Sequence, residues 1–356
     1  MKICVPLLTL AMSLTVGCHG LGPRTVARDR FDFSDSISES WKRQTLLNIV
    51  KLRYMDPPIF VDVGQIVAGY SLETGFSAGG SFPESAGLGG NTATVGGSVR
   101  FTDRPTITYT PLTGNEFIKA LMTPLPPDSV FFTVQSGYPA DVVFFAAVNS
   151  LNGLKNQSTS LTGVTPPDAN FLRVLELLRQ IQSSGSVGMR VAEDAQKHQT
   201  TLVTFRANDV SGQTLADIDE LRRLLRLDPA ATEFKLVYGA VARDGREIAI
   251  LPRSLLQIMN IMAAQVDVPA EHVRDGRATP GWGGEVKLSP KHLVHIISSR
   301  EKPADAYAAV RYRNHWFWID DRDLQTKRAF AFMMMLFTLS DTGKKEGLPL
   351  ITIPAQ

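Results

Sequence analysis

Hydrophobic positions that recur every three to four residues predict helices at several places along the chain. The first is residues 34–54, where Trp41 and Ile49 lie on one face and Asp56-Pro57-Pro58 ends the pattern. The same spacing, with capping residues and glycines at the ends, predicts further helices over 115–122, 141–151, 168–184, 214–227, 252–265 and 321–339.

Residues 59–110 instead alternate between apolar and small polar side chains, the pattern of half-exposed strands. In the first strand, Tyr70 and Phe76 share one face and Ser71 the other; after the turn-rich stretch 83–91, Val95 and Val99 continue the apolar side. This alternation predicts a long two-stranded hairpin over 66–109. We expect its apolar face to cover the chain's own helices or a partner.

The second half of the chain alternates strands with helices. Strands are predicted over 200–206, 234–241, 247–251, 306–312, 315–319 and 348–353. Two pairs of them read as hairpins, around Asp244-Gly245 and around Arg313-Asn314, and each is followed by a helix. The prediction is therefore an α+β fold: an N-terminal helix and a long Gly-rich β-hairpin, then a mostly antiparallel sheet covered by helices.

A Ser/Thr/Gly/Pro-rich stretch over 157–167 is the predicted boundary between two regions. The first, residues 34–156, holds the helix and the Gly-rich hairpin. The second, residues 168–356, is the predicted α+β domain.

Composition narrows the class of protein. In 356 residues, 44% are hydrophobic and 20% charged, values typical of a globular chain. The 37 Lys and Arg nearly balance the 35 Asp and Glu, which argues against a nucleic-acid partner bound through a broad basic face. Only two cysteines occur, which excludes a disulfide framework and a cysteine-rich zinc site.

The N-terminus carries Lys2, an apolar stretch over 3–16, and then Gly17-Cys18. This arrangement resembles the bacterial lipoprotein signal, in which a small residue precedes a cysteine that is acylated and becomes the first residue of the mature chain. The resemblance implies that residues 1–17 are a signal peptide and that Cys18 is the lipidation site. The polar residues 18–33 would form a tether between the lipid and the folded body.

The residue after the lipidated cysteine indicates the membrane to which a lipoprotein is sorted. It is His19 rather than the aspartate that favours inner-membrane retention, so the resemblance implies an outer-membrane anchor facing the periplasm. Two longer segments, 54–60 and 316–324, are similar to segments of proteobacterial lipoproteins of an uncharacterised family. That similarity implies the same localisation and no particular activity.

Two groups of residues are candidates for metal binding. Asp320, Asp321 and Asp323 stand where a strand passes into a helix, where aspartates cap free N–H groups; a hard-cation site is the alternative. His292 and His295 are three apart in a β-branched run, so a strand would place them on opposite faces. The remaining histidines of the body, His198, His272 and His315, are isolated in sequence. We therefore assign no metal site.

No catalytic or cofactor-binding motif stands out. The chain has no Gly-x-Ser-x-Gly nucleophile motif, and the glycines of 87–92 and 343–345 lack the remaining residues of phosphate-binding loops. Trp316 and Trp318 share a face of their predicted strand. We expect them in the core, the alternative being a surface that stacks a ligand.

These observations favour a non-enzymatic, lipid-anchored protein of the cell envelope, with a scaffolding or assembly role in the periplasm. Its expected partners are the outer membrane, through lipidated Cys18, and either further copies of the chain or another envelope protein. Two alternatives stay open: a subunit of an oligomeric outer-membrane pore built from the 66–109 hairpins, and a periplasmic hydrolase whose site the sequence does not reveal.

Overall fold

The computed structural model describes residues 23–81, 92–112, 114–160, 163–193, 199–206, 211–278 and 293–340, and all structural statements below refer to these. The chain divides into two compact units. The first contains residues up to Trp41 together with 60–112, and the second contains 42–59 and the chain after residue 112. Helix α1 (Pro23–Arg53) contributes residues to both.

Helix α1 begins earlier than its hydrophobic pattern predicts. It starts at Pro23 rather than near Ser34, so most of the segment predicted as a tether is helical. Proline suits a first helical turn because its fixed φ is already helical and its missing N–H would be unpaired there anyway. The apolar stripe becomes buried only later, at Leu46, Ile49 and Val50 in the second unit.

The first unit contains four strands in two antiparallel pairs. Strand β1 (Phe60–Val67) pairs with β4 (Thr106–Leu112), and β2 (Tyr70–Ser81) pairs with β3 (Thr92–Asp103). The second pairing runs without a bulge from Tyr70 opposite Asp103 to Ser81 opposite Thr92. We call the β2–β3 pair the ribbon; the segment 82–91 that connects its strands lies outside the described residues.

The second unit is built around a six-stranded sheet. Its strands, in spatial order, are β6 (Leu154–Lys155), β5 (Val148–Leu151), β12 (Glu247–Pro252), β11 (Glu233–Tyr238), β10 (Gln199–Phe205) and β9 (Val187–Glu193). All neighbours are antiparallel except β11 and β12. The predicted α+β class, with helices and a mostly antiparallel sheet, is confirmed.

Eight helices follow α1 in the described chain: α2 (Asn115–Met122), α3 (Pro127–Gln135), α4 (Ala140–Ala147), α5 (Ala169–Ser183), α6 (Gly212–Leu225), α7 (Leu255–Ala264), α8 (Ala270–Arg274) and α9 (Leu324–Ser340). Among the described residues, no helix is both long enough and apolar enough to cross a membrane. Helix α6 begins two residues before its predicted start at 214, and it is capped by Ser211, whose Oγ accepts from the Thr214 N–H at 3.2 Å.

The predicted hairpin around Asp244-Gly245 is wrong. Strands β11 and β12 both form, but they run parallel. The Asp-Gly turn does not close them because its Gly245 carbonyl accepts from the Asp228 N–H at 2.8 Å, just before β11 begins. The chain has therefore returned to the start of β11 before β12 starts. Gly245 is required there, since a Cβ would lie 2.9 Å from the Asp228 nitrogen.

Two other predicted boundaries differ from those in the structure. The predicted helix over 141–151 ends at Ala147, and its last four residues form β5. The predicted boundary over 157–167 contains β7 (Ser158–Ser160) paired with β8 (Gly163–Thr165). Because β5 pairs with β12, chain segments on both sides of that stretch share one sheet.

The last sheet has three strands, β13 (Ile297–Ser299), β14 (Ala306–Tyr312) and β15 (His315–Asp320), with β15 in the middle. The predicted hairpin around Arg313-Asn314 is confirmed. Both turn residues have positive φ, 46° and 68°, as a two-residue turn of this hand requires. The predicted strand over 348–353 lies outside the described residues.

One charged side chain lies entirely inside the second unit. Arg253 has no exposed surface, and burial lowers its pKa to about 9. Its guanidinium donates to the carbonyls of Phe145 (2.7 Å), Ala146 (2.9 Å) and Gln157, and to Oδ1 of Asn149 (3.0 Å). It thereby satisfies carbonyls at the end of α4 and joins that helix to β12.

Candidate functional site

The predicted lipidation site, Cys18, lies outside the described residues, as do residues 1–17 and His19. The glycine-rich loops 87–92 and 343–345 fall mostly or wholly outside them too. Lipidation therefore stays a prediction from the sequence.

The ribbon exposes the apolar face that the sequence predicted to cover the chain's own helices or a partner. Phe76, Val95, Val99 and Phe101 are 77%, 72%, 75% and 54% exposed. The register places Thr74 opposite Val99 and puts these side chains on one side. The expectation that this face covers the chain's own helices is therefore wrong for these residues, and the face is accessible to a partner.

The opposite face of the ribbon carries small and polar side chains. Three successive cross-strand pairs on this face each combine a glycine with a hydroxyl residue: Gly75 with Ser98, Ser77 with Gly96, and Gly79 with Thr94. A Cβ on Gly75 would lie 2.6 Å from Ser98 Oγ, so the glycine makes room for the neighbouring side chain. Glu73 opposite Arg100 adds one pair of opposite charges on the same face.

The histidines that the sequence left isolated include two that are neighbours in the fold. His272, on α8, and His315, the first residue of β15, have ring centroids 5.0 Å apart and nearly perpendicular planes. Glu271 Oε1 lies 3.4 Å from His315 Nε2. One potential ligand atom from each of these three residues lies within 4.8 Å of the other two. His272 and His315 are therefore isolated in sequence and neighbours in the fold.

The two imidazoles are shielded from solvent and held by hydrogen bonds. His272 is 1% and His315 7% exposed. The Tyr54 hydroxyl lies 2.6 Å from His272 Nδ1, and His315 Nδ1 lies 3.3 Å from the Arg313 carbonyl. Burial lowers the pKa of His272, and the neighbouring His315 imidazole lowers it further. Both effects favour the neutral form of the His272 imidazole.

Charged and aromatic side chains complete this cluster. Arg300 Nη2 donates to Glu271 Oε2 at 3.1 Å and holds the carboxylate from its outer side. The guanidinium of Arg313 lies 4.8 Å from the centroid of the Tyr54 ring and also bonds Asp56 at 3.1 Å. Arg313 therefore contacts the ring of the tyrosine whose hydroxyl meets His272.

Of the three clustered aspartates, Asp323 caps the following helix, as the capping interpretation predicts. Asp323 Oδ1 accepts from the Thr326 N–H at 3.0 Å, at the first turn of α9. Asp320 accepts from the Arg322 N–H, and Asp321 pairs with Lys327 Nζ at 2.7 Å. The three carboxylates therefore have separate partners instead of converging on one point.

The remaining candidates do not form a site. His295 is half exposed and lies 3.2 Å from Asp267, while His292 and His198 lie outside the described residues. Along β15, the buried positions are His315, Phe317 and Ile319, and the two tryptophans between them are half-buried. The expectation that Trp316 and Trp318 belong to the core is therefore wrong in part.

Comparison with protein-family models, with curated proteins and with solved structures found no match to this chain.

Proposed function

We propose that this chain is a non-enzymatic, lipid-anchored protein of the cell envelope that acts in assembly by joining copies of itself through the ribbon. Cys18 would carry the lipid at the outer membrane, with the folded body facing the periplasm. The N-terminal resemblance supports the anchor, and the exposed ribbon supports the assembly.

The observation that carries the proposal is the exposure of Phe76, Val95, Val99 and Phe101 on one face of a regular antiparallel pair. A contiguous apolar surface of this kind marks an interaction site in soluble and membrane-associated proteins. A two-stranded pair is also marginally stable by itself and gains stability when further strands or another surface cover it.

A second copy of the chain is the occupant that the strand geometry favours. Among the described residues, β2 and β3 pair only with each other, so each has an outer edge of backbone N–H and C=O groups. In a head-to-tail arrangement, β3 of one copy would pair with β2 of the next, and the apolar side chains of the two copies would pack beside one another on the same face. Such a contact repeats around a ring or along a row and keeps all apolar faces on one side.

The test compares two neighbouring substitutions on opposite faces of β2. Phe76→Asp places a charge on the apolar face, and Ser77→Asp places the same charge on the polar face, where it meets no like charge in the cross-strand register. We expect the wild type and Ser77→Asp to form defined oligomers in detergent, measured by light scattering and cross-linking. Phe76→Asp should be monomeric and fully folded, because its side chain is exposed in the monomer.

Two results would contradict the assembly proposal: a wild-type protein that stays monomeric in both detergent and liposomes, or oligomers of Phe76→Asp equal to those of the wild type. Unfolding of Phe76→Asp would instead show that this face packs within the monomer.

The anchor has its own test. Cys18→Ala should remove labelling by a radioactive or alkyne fatty acid and release the protein from the membrane fraction, because the acyl chains supply about 0.8 kcal/mol per buried CH2. Unchanged labelling and fractionation of Cys18→Ala would refute the lipoprotein assignment without bearing on ribbon assembly.

The opposite polarity of the two ribbon faces favours one further candidate, a subunit of an oligomeric outer-membrane pore. Strands of 12 residues are about 40 Å long at roughly 3.3 Å per residue, which exceeds the ~30 Å hydrocarbon thickness. Apolar side chains would meet lipid, and the Gly/Ser/Thr face would meet water. Ion conductance of planar bilayers that contain the wild type would support the pore if Ser77→Asp alters that conductance. Oligomers that form without any conductance would support scaffolding instead of the pore.

A further inference from the structure

Glu271, His272 and His315 bring a carboxylate and two imidazoles together from two different elements, α8 and β15. We propose that these three residues form a binding site for one divalent transition-metal ion, with zinc as the best match. The proposal concerns the second unit alone and does not depend on the ribbon.

The contacts behind the two imidazoles suit a metal, because each imidazole already has an oxygen partner for its Nδ1 atom. His315 Nδ1 lies 3.3 Å from the Arg313 carbonyl, to which a protonated Nδ1 donates; this leaves the Nε2 lone pair facing Glu271. A backbone carbonyl or another oxygen behind each metal-binding imidazole is the usual second-layer arrangement.

Tyr54 supplies the corresponding contact for the other imidazole. Its hydroxyl lies 2.6 Å from His272 Nδ1, and a tyrosine hydroxyl can either donate or accept. When it accepts from a protonated Nδ1, the lone pair of His272 Nε2 becomes available. The partners that the two histidines already have therefore allow both Nε2 atoms to bind the ion.

The three ligand atoms would have to move slightly closer together to bind one ion. The three ligand atoms lie within 4.8 Å of one another, whereas the ligands of a tetrahedral zinc ion are roughly 3.4 Å apart. Glu271 is the residue that can move, because its side chain is 36% exposed and the histidines are fixed by burial. A water molecule would complete the four ligands, as it does where zinc has three protein donors.

The donor set also selects the class of ion and its role. Two imidazoles and one carboxylate suit zinc, copper or nickel, and do not suit magnesium or calcium, which prefer oxygen ligands alone. Because both imidazoles are nearly inaccessible, the ion would join α8 to β15 and stabilise their packing, in preference to acting on a substrate.

The experiment measures metal binding to the purified, untagged protein after treatment with a chelator. We expect one Zn2+ per chain by competition with a chromophoric chelator, a higher melting temperature with Zn2+ than with Mg2+, and visible absorption bands of four-coordinate Co2+ when cobalt is used. His315→Gln and Glu271→Gln should each weaken Zn2+ binding at least tenfold. His295→Gln, which changes an exposed histidine outside the cluster, should bind as the wild type does.

Glu271→Gln keeps the test valid if His315→Gln does not fold, since Glu271 is partly exposed and its amide can still accept from Arg300. The proposal is overturned if the wild type binds no stoichiometric Zn2+, or if folded Glu271→Gln binds it with unchanged affinity and the same Co2+ spectrum.

Discussion

Replacing Arg253 with methionine tests whether the buried guanidinium stabilises the second unit. Arg253→Met retains a long, flexible side chain of apolar character, so the site stays largely filled while the charge and all donors are lost. The substitution removes one donor from three backbone carbonyls and from Oδ1 of Asn149. The Phe145 carbonyl still accepts from Asn156 Nδ2 at 2.9 Å, so three acceptors lose their donor altogether.

The magnitude is a difference between two opposing terms. Leaving a buried acceptor unpaired costs about 1–3 kcal/mol, so three of them cost about 6 kcal/mol. Burial of the charge is itself unfavourable: lowering the Arg253 pKa to about 9 corresponds to about 5 kcal/mol, at about 1.4 kcal/mol per pKa unit. We therefore expect Arg253→Met to lower the free energy of unfolding by about 1 kcal/mol.

Urea unfolding followed by circular dichroism measures this change from the shift in midpoint at constant slope. Arg246→Met is the matched control, because Arg246 is exposed and its ion pair with Asp228, at 3.4 Å, lies at the protein surface. We expect the control to change stability by less than about 0.5 kcal/mol. A gain in stability for Arg253→Met, or an equal loss for both variants, would refute the reasoning.

Two further predictions concern the helices. Asp323→Ala should lower the free energy of unfolding by about 1 kcal/mol, because it removes the cap on the Thr326 N–H, and an equal loss for Asp321→Ala in thermal unfolding would contradict this. Glu220 has its pKa lowered by hydrogen bonds from Arg173 at 2.7 and 3.0 Å, so its contribution is present above about pH 4 and is lost as the pH falls through the lowered pKa. Glu220→Gln should therefore flatten the acid limb of the stability–pH curve, and an unchanged limb would show that this pair does not contribute.

Local signals predicted local structure well. The alternation along the ribbon follows from side chains pointing to opposite faces, and the observed register keeps Phe76 and Val95 on one side as the pattern requires. Arg313-Asn314 forms its turn because both residues lie in a two-residue connection between strands that pair directly. In each case the information lies within one continuous segment.

Contacts between distant segments were not predictable in this way. Asp244-Gly245 has the same local signature as a hairpin turn, but the hydrogen bond to Asp228 gives it another role. His272 and His315 come together only because α8 packs beside β15, and no spacing motif joins them. Nothing in the sequence distinguished Arg253 from an exposed arginine, because its acceptors are mostly backbone carbonyls of remote residues.

The position of β12 in the six-stranded sheet has a consequence for the order of folding. Strands β5 and β6 precede α5, and β9 to β11 follow it, yet these two groups meet only through β12, which comes last. Until residue 252 is present, the chain holds two half-sheets whose inner edges have no partner. A fragment truncated before Glu247 should therefore be insoluble, because open strand edges associate with one another. The whole sheet closes in a single late step, and its long-range pairings should make that step slow.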